Sequence, residues 1–231
     1  DQGSGDLAGA HGHFADAAEH RYILHARAAV DSLAGLALTQ QLTGCSDAAA
    51  ESLDLLYQFA LELADSQYLS VAQSSRARLA LLRGESEQAI EWARSVREEP
   101  YPAGLFMFLE VPWITQARAL IAEGTEESLA AALELLATIR CQSEGCRFTN
   151  QTIEVTVLQT LALKKQGRSG EALDTLHEAL AMAEPGGWIR PFVEAGPPMV
   201  ELMRTLSTEH AAAAFVEKIL SATGRPEAGP T

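Results

Sequence analysis

Cysteine is scarce: Cys45, Cys141 and Cys146 are the three in 231 residues. Their odd number and irregular spacing fit free thiols in a reducing, cytoplasmic setting better than a disulfide framework, with Cys141 and Cys146 able to pair if oxidised. No histidine stands at ligand spacing from them, so there is no zinc signature. Basic residues are few, 17 against 31 acidic, for a formal net charge of −14. Non-specific attraction to a phosphate backbone is therefore disfavoured, and direct nucleic-acid contact is not expected. No apolar run reaches the roughly 18 to 20 residues that span a bilayer, so no membrane contact is expected. The N-terminal DQGSGDLAGA lacks both a Met and a basic-then-apolar signal, and reads as the start of a chain cut from something longer. A phosphate loop, a nucleophile elbow and a metalloprotease helix motif are all missing. The histidines His11, His13, His20 and His25 read as solvated. An enzyme is not expected, nor a metal or a cofactor.

What is present is apolar periodicity at helical spacing, with no strand pattern, and 47% hydrophobic residues, enough for a substantial core. Gly44, Gly84, Gly124 and Gly167 each close an apolar-periodic segment and precede a polar helix start, at spacings of 40, 40 and 43 residues. Seven residues before the first three glycines stand Ala37, Ala77 and Ala117, small residues suited to close helix crossings; Thr160 takes that place in the fourth unit. Each unit reads as helix, glycine turn, helix. The first helix of unit one is expected over about Phe14 to Thr43, bent or divided at Gly35, and its partner over about Ser46 to Asp65, capped by Ser46 or Asp47. Unit two covers about Tyr68 to Arg83 and Glu85 to Glu98. In unit three Pro112 either opens or kinks a helix, and Thr125 caps the next one. Unit four covers about Thr149 to Gln166 and Ser169 to Ala183.

Beyond Pro185 the pattern changes. A short aromatic segment, Trp188 to Glu194, precedes a helix opened by Pro197 and a last helix capped by Thr208. Trp188 and Phe192 are expected to seal the end of the array. The domain reading is an unstructured or tag-like start over 1–13, a helical-repeat domain over 14–222 with capping helices over 188–222, and a linker over 223–231.

The fourth unit resembles the tetratricopeptide repeat: in EALDTLHEALAMAEP, Ala172 and Ala179 take the two small positions, Leu176 the large one between them and Pro185 the terminating region. The units run near 40 residues, longer than the family's 34, so the array is a degenerate version. The exit adds Gly187, Trp188, Arg190, Phe192 and the turn Gly196 to Pro198; ARLALLRG (Ala77 to Gly84) and ARALIAEG (Ala117 to Gly124) repeat one pattern. Together these resemble the sensor region of the MalT-type, ATP-dependent LuxR-family transcriptional regulators. The resemblance implies an all-α, right-handed superhelix of tetratricopeptide-like units. It also implies a role in binding a small-molecule inducer, sugar-like ones included, or a regulatory protein, and in biasing homo-oligomerisation. ATP is implied only for a region upstream of this chain. The alternative is a tetratricopeptide scaffold that holds a protein partner without a small-molecule ligand.

In such arrays the first helices of successive units line the concave groove. Six residues before the closing glycines stand Leu38, Arg78, Arg118 and Leu161. Arg78 and Arg118 suit bidentate bonds to a carboxylate, a phosphate or sugar hydroxyls. Alternatively each pairs with a carboxylate such as Glu154 or Asp31 and holds adjacent helices together. The candidate ligand-binding set is Arg78, Arg118, Ser74, Gln116, Glu154 and Trp113. Tyr101, Phe106, Phe108 and Trp113 form an aromatic cluster that either stacks on a sugar or packs helices. Asn150, Gln151 and Gln116 are neutral hydrogen-bonding groups suited to a polyol.

Overall fold

The computed structural model describes residues 7–97, 109–206 and 213–223. Twelve α-helices, one 3-10 turn and no strand occur among them. They divide into two compact units, Asp6–Glu99 with Ala103–Ala119, and Leu120–Glu227. The first contains α1 (Leu7–Glu19), α2 (Ala26–Leu42), α3 (Ser46–Leu63), α4 (Ser66–Leu82), α5 (Ser86–Ser95) and the start of α6 (Pro112–Glu123). The second contains the end of α6, then α7 (Glu126–Gly145), α8 (Thr149–Lys165) and α9 (Ser169–Ala183). A 3-10 turn over Glu184–Gly186 leads to α10 (Arg190–Glu194), α11 (Pro197–Arg204) and α12 (Ala213–Thr223).

The closing glycines do what their spacing predicts. Gly44, Gly84, Gly124 and Gly167 have φ of +81°, +79°, +71° and +76°, a left-handed backbone that costs an L side chain roughly 1–2 kcal/mol. At Gly44, Gly84 and Gly167 the turn carries two reversed bonds. The glycine N–H reaches the carbonyl three residues back, and the next N–H reaches the one five back, as in Cys45 to Gln40 at 2.8 Å and Arg168 to Leu163 at 3.0 Å. Two orphan carbonyls are thereby satisfied at each helix end. Gly124 makes only the single bond to Leu120, at 3.2 Å, and Lys165 supplies what is missing. Its Nζ donates to the Ile121 carbonyl at 2.6 Å, placing a cation at the negative end of α6. In the first unit Arg83 bridges similarly, Nε to Gln41 Oε1 at 2.7 Å and Nη2 to the Ser46 carbonyl at 2.9 Å. A cation at the end of one first helix thus holds the closing turn of the preceding repeat.

Ala37, Ala77, Ala117 and Thr160 are all buried, as close helix crossings require. Pro112 is the first residue of α6, and Thr125 caps α7 by accepting the Ser128 N–H at 3.1 Å. Four expectations are corrected. Cys45, rather than Ser46 or Asp47, holds the N-cap position of α3, because the reversed bonds at Gly44 leave it as the joining residue; Asp47 lies in the first turn instead. The long first helix breaks between His20 and Leu24 and runs unbroken through Gly35. Gly35 is a packing site: a β-carbon there would lie 2.7 Å from the ring of Phe14. The stretch 1–13 contains the start of α1 at Leu7, where alanines favour helix and Phe14 anchors the far end on α2. Trp188 is not a plug. It is 46% exposed, its ring folded back over Gly186, where a β-carbon would lie 2.1 Å from Nε1. Phe192 seals the second core alone, fully buried and edge-on to Phe215 at 6.4 Å between centroids. The last helix is described from Ala213; Thr208, its expected cap, and the linker beyond Thr223 lie outside the described residues.

Two measurements follow. Phe192→Ala should cost about 3–5 kcal/mol in urea unfolding, and Trp188→Ala clearly less. Arg147 is exposed with φ +58° and makes the same two reversed bonds, so Arg147→Gly should raise stability by about 1 kcal/mol, and a loss would show that its side chain matters.

Candidate functional site

The predicted residue with the densest polar surroundings is Arg78, in the middle of α4 and 7% exposed. Its neighbours on α4, Ser74 and Ser75, turn their hydroxyls back to the Val71 carbonyl at 3.0 and 2.8 Å and make no demand on the guanidinium. Arg78 Nη1 donates to Glu110 Oε2 at 2.9 Å and to the Leu109 carbonyl at 3.3 Å. The other Glu110 oxygen accepts the Thr115 hydroxyl at 2.5 Å, so both carboxylate oxygens of a buried acid are satisfied. Asp31 of α2 accepts the Leu109 N–H at 3.3 Å. Leu109 is therefore held at both of its backbone polar groups by side chains from two different helices, and not by secondary structure.

The floor beneath it is apolar. Ala34 and Leu38 of α2 and Leu79 of α4 line a shallow cleft of about 10 Å³, room for about one water, with Ser75, Arg78, Leu109 and Glu110. Burial raises the Asp31 carboxyl to about 6; the Leu109 N–H and Arg27 pull it down, and Glu110 pushes it up. The site is thus a desolvated acid and a buried ion pair arranged around one dipeptide that bends at Leu109.

The sequence-predicted residues fall as follows. Ser74 and Trp113 are buried. Gln116 is half-buried and donates to the Ala93 carbonyl at 3.0 Å, and Arg118 is half-buried on α6. Glu154 lies on α8 in the second unit and is no part of this cluster; Asn150 and Gln151 lie there too. Leu38, expected to face a groove, is buried in the cleft floor. Tyr101, Phe106 and Phe108 lie outside the described residues. Arg78 does pair with a carboxylate, but its partner is Glu110, which sequence reasoning missed; Asp31 enters the cluster through Leu109. The signal for Glu110 was present: one acid inside the apolar run LFMFLEVPW, two residues before a helix-opening Pro112. Among the described residues no cluster of side chains suits a metal ion, and all three cysteines are free and exposed.

Helix pairs joined at left-handed glycines and repeated at near-constant spacing place this chain in the class of degenerate tetratricopeptide-like repeat proteins. Residues 4–209 match the family model described as the MalT-like TPR region, and the chain belongs to that family. No curated protein matches it.

The ion pair has a testable asymmetry. Arg78→Met should cost about 3–5 kcal/mol by leaving the Glu110 charge buried alone, whereas Arg78→Met with Glu110→Leu should recover most of that loss. Asp31 is raised in the folded chain, so its ionisation opposes folding: stability through this group is highest near pH 4 and falls as pH rises to about 6. Asp31→Asn, whose amide oxygen still accepts the Leu109 N–H, should gain on the order of 1–2 kcal/mol over the native chain at pH 7. In chemical denaturation across pH, that gap should close near pH 4.

Proposed function

We propose that this chain is the effector-binding and self-association region of a cytoplasmic LuxR-family transcriptional regulator. Membership of the MalT-like TPR family across residues 4–209 carries this reading. ATP chemistry and DNA contact are assigned to other parts of such a regulator; the chain's net charge of −14 accords with no nucleic-acid contact of its own. No catalysis and no cofactor are assigned to it. The effector acts by population shift: it favours the self-associating form by the difference in its affinity for two arrangements of the repeats, and by no more.

A regulatory protein segment is the favoured effector over a sugar-like inducer. The supporting observation is that Ser74, Arg78 and Trp113, three of the six candidate ligand-binding residues, are covered by the chain's own atoms, while the resident of the Arg78 cleft is a dipeptide of the chain itself. The experiment is light scattering of the chain across concentration, with and without a panel of oligosaccharides, small metabolites and candidate regulatory proteins, alongside calorimetry. An effector that binds and changes the association state is the expected result. Binding with no change in association would support the scaffold alternative, and an ordered chain indifferent to every class would sink the sensor reading.

A further inference from the structure

The Leu109–Glu110 dipeptide occupies its cleft in the manner of a bound peptide. Its backbone N–H and C=O are both taken by side chains, Asp31 from α2 and Arg78 from α4, and its acidic side chain is received by a buried guanidinium. The fit is incomplete at each point except the ion pair. Both backbone bonds are 3.3 Å, beyond the usual 2.7–3.2 Å range. The Leu109 side chain is left 40% exposed over the apolar floor, and burial raises the Asp31 carboxyl to about 6, a rise that the long bond from the Leu109 N–H offsets only in part. A guanidinium fork receives any carboxylate of suitable reach, so the strongest contact of the resident is also the one a competitor can reproduce.

We propose that the cleft between α2 and α4 is a binding site for a peptide segment carrying an apolar residue followed by an acidic one, and that Leu109–Glu110 is its occupant in cis. The incoming carboxylate replaces Glu110 on Arg78, the preceding apolar side chain fills the floor of Ala34, Leu38 and Leu79 that Leu109 covers only in part, and the peptide N–H before it reaches Asp31. This rests on the reading that a regulatory protein segment is the effector, and adds the chemistry by which the segment is recognised.

The test removes the resident carboxylate and supplies another. The full chain carrying Glu110→Ala is titrated with a blocked pentapeptide of sequence Phe-Leu-Glu-Val-Pro, and with the same peptide bearing Gln for Glu. The Glu peptide should bind the variant at least about tenfold tighter than it binds the native chain, and the Gln peptide should lose that gain, as a charge-assisted contact worth 1.4 kcal/mol or more requires. Equal binding of both peptides, or none to a folded variant, overturns the proposal. Where Glu110→Ala does not fold in plain buffer, the measurement becomes its refolding yield and thermal midpoint in acetate against chloride at equal ionic strength. Recovery specific to acetate supports a carboxylate-receiving site, and no recovery overturns it. An effector found by light scattering on the native chain, together with a null result here, removes only the acidic-peptide chemistry and leaves the sensor reading standing.

Discussion

The left-handed residue between two helices is the constraint on which the rest of this chain is built. A helix that ends in solvent leaves carbonyls without partners; a glycine at positive φ turns the next two N–H groups back onto them and sends the chain off in a new direction in two residues. Because the turn is short, the two helices it joins must pack against each other, and because the spacing barely varies from 40 residues, the same face of each first helix is offered again and again. The buried Ala37, Ala77, Ala117 and Thr160 follow that recurrence: one position per unit is covered each time, and a small residue stands there.

Turns of one kind need not be finished in one way. Gly44, Gly84 and Gly167 complete both reversed bonds, whereas Gly124 completes one and relies on Lys165 from the following repeat. Arg83 plays a comparable part at Gly44. Long basic side chains at the ends of first helices thus connect successive repeats through backbone carbonyls and polar groups, which supplements apolar packing with contacts of defined geometry. Within the second unit Arg140 joins α7 to α9 through the paired oxygens of Glu178. Arg76 and Lys164 brace in the same way, to Asp54 and to Glu201.

The cluster at Arg78 belongs to a different order of structure. It unites α2, α4 and the segment before α6, residues 31, 78 and 110 in the chain, and it places an ion pair where desolvation is costly and a single missing partner is severe. A buried ion pair penalises geometries that separate its partners, and its net contribution to stability is small next to the cost of breaking it. Asp31, held in the same place with only one long bond, shows that the geometry has been reached at some cost in electrostatics.

The repeat period, the four glycine turns, the Thr125 cap and the start of α6 at Pro112 were legible because each depends on residues within one or two turns of one another. Periodicity and turn chemistry are local, and the sequence carries most of them, although the cap of α3 fell to Cys45 and not to Ser46 or Asp47. The break between α1 and α2 was not legible: Gly35 looked like a hinge, and only the ring of Phe14 arriving from α1 makes it a packing site. Trp188 and Phe192 looked equivalent, yet the turn at Gly187 folds one back over Gly186 and drives the other into the core. The partner of Arg78 was equally hidden, since 32 residues separate it from Glu110 and any of several acids had the right charge. By itself, then, the sequence determined the elements and the family they form. Which charges meet, which aromatics are buried and which groups surround one short peptide were decided by tertiary packing, because those choices depend on distances between segments that no local pattern encodes.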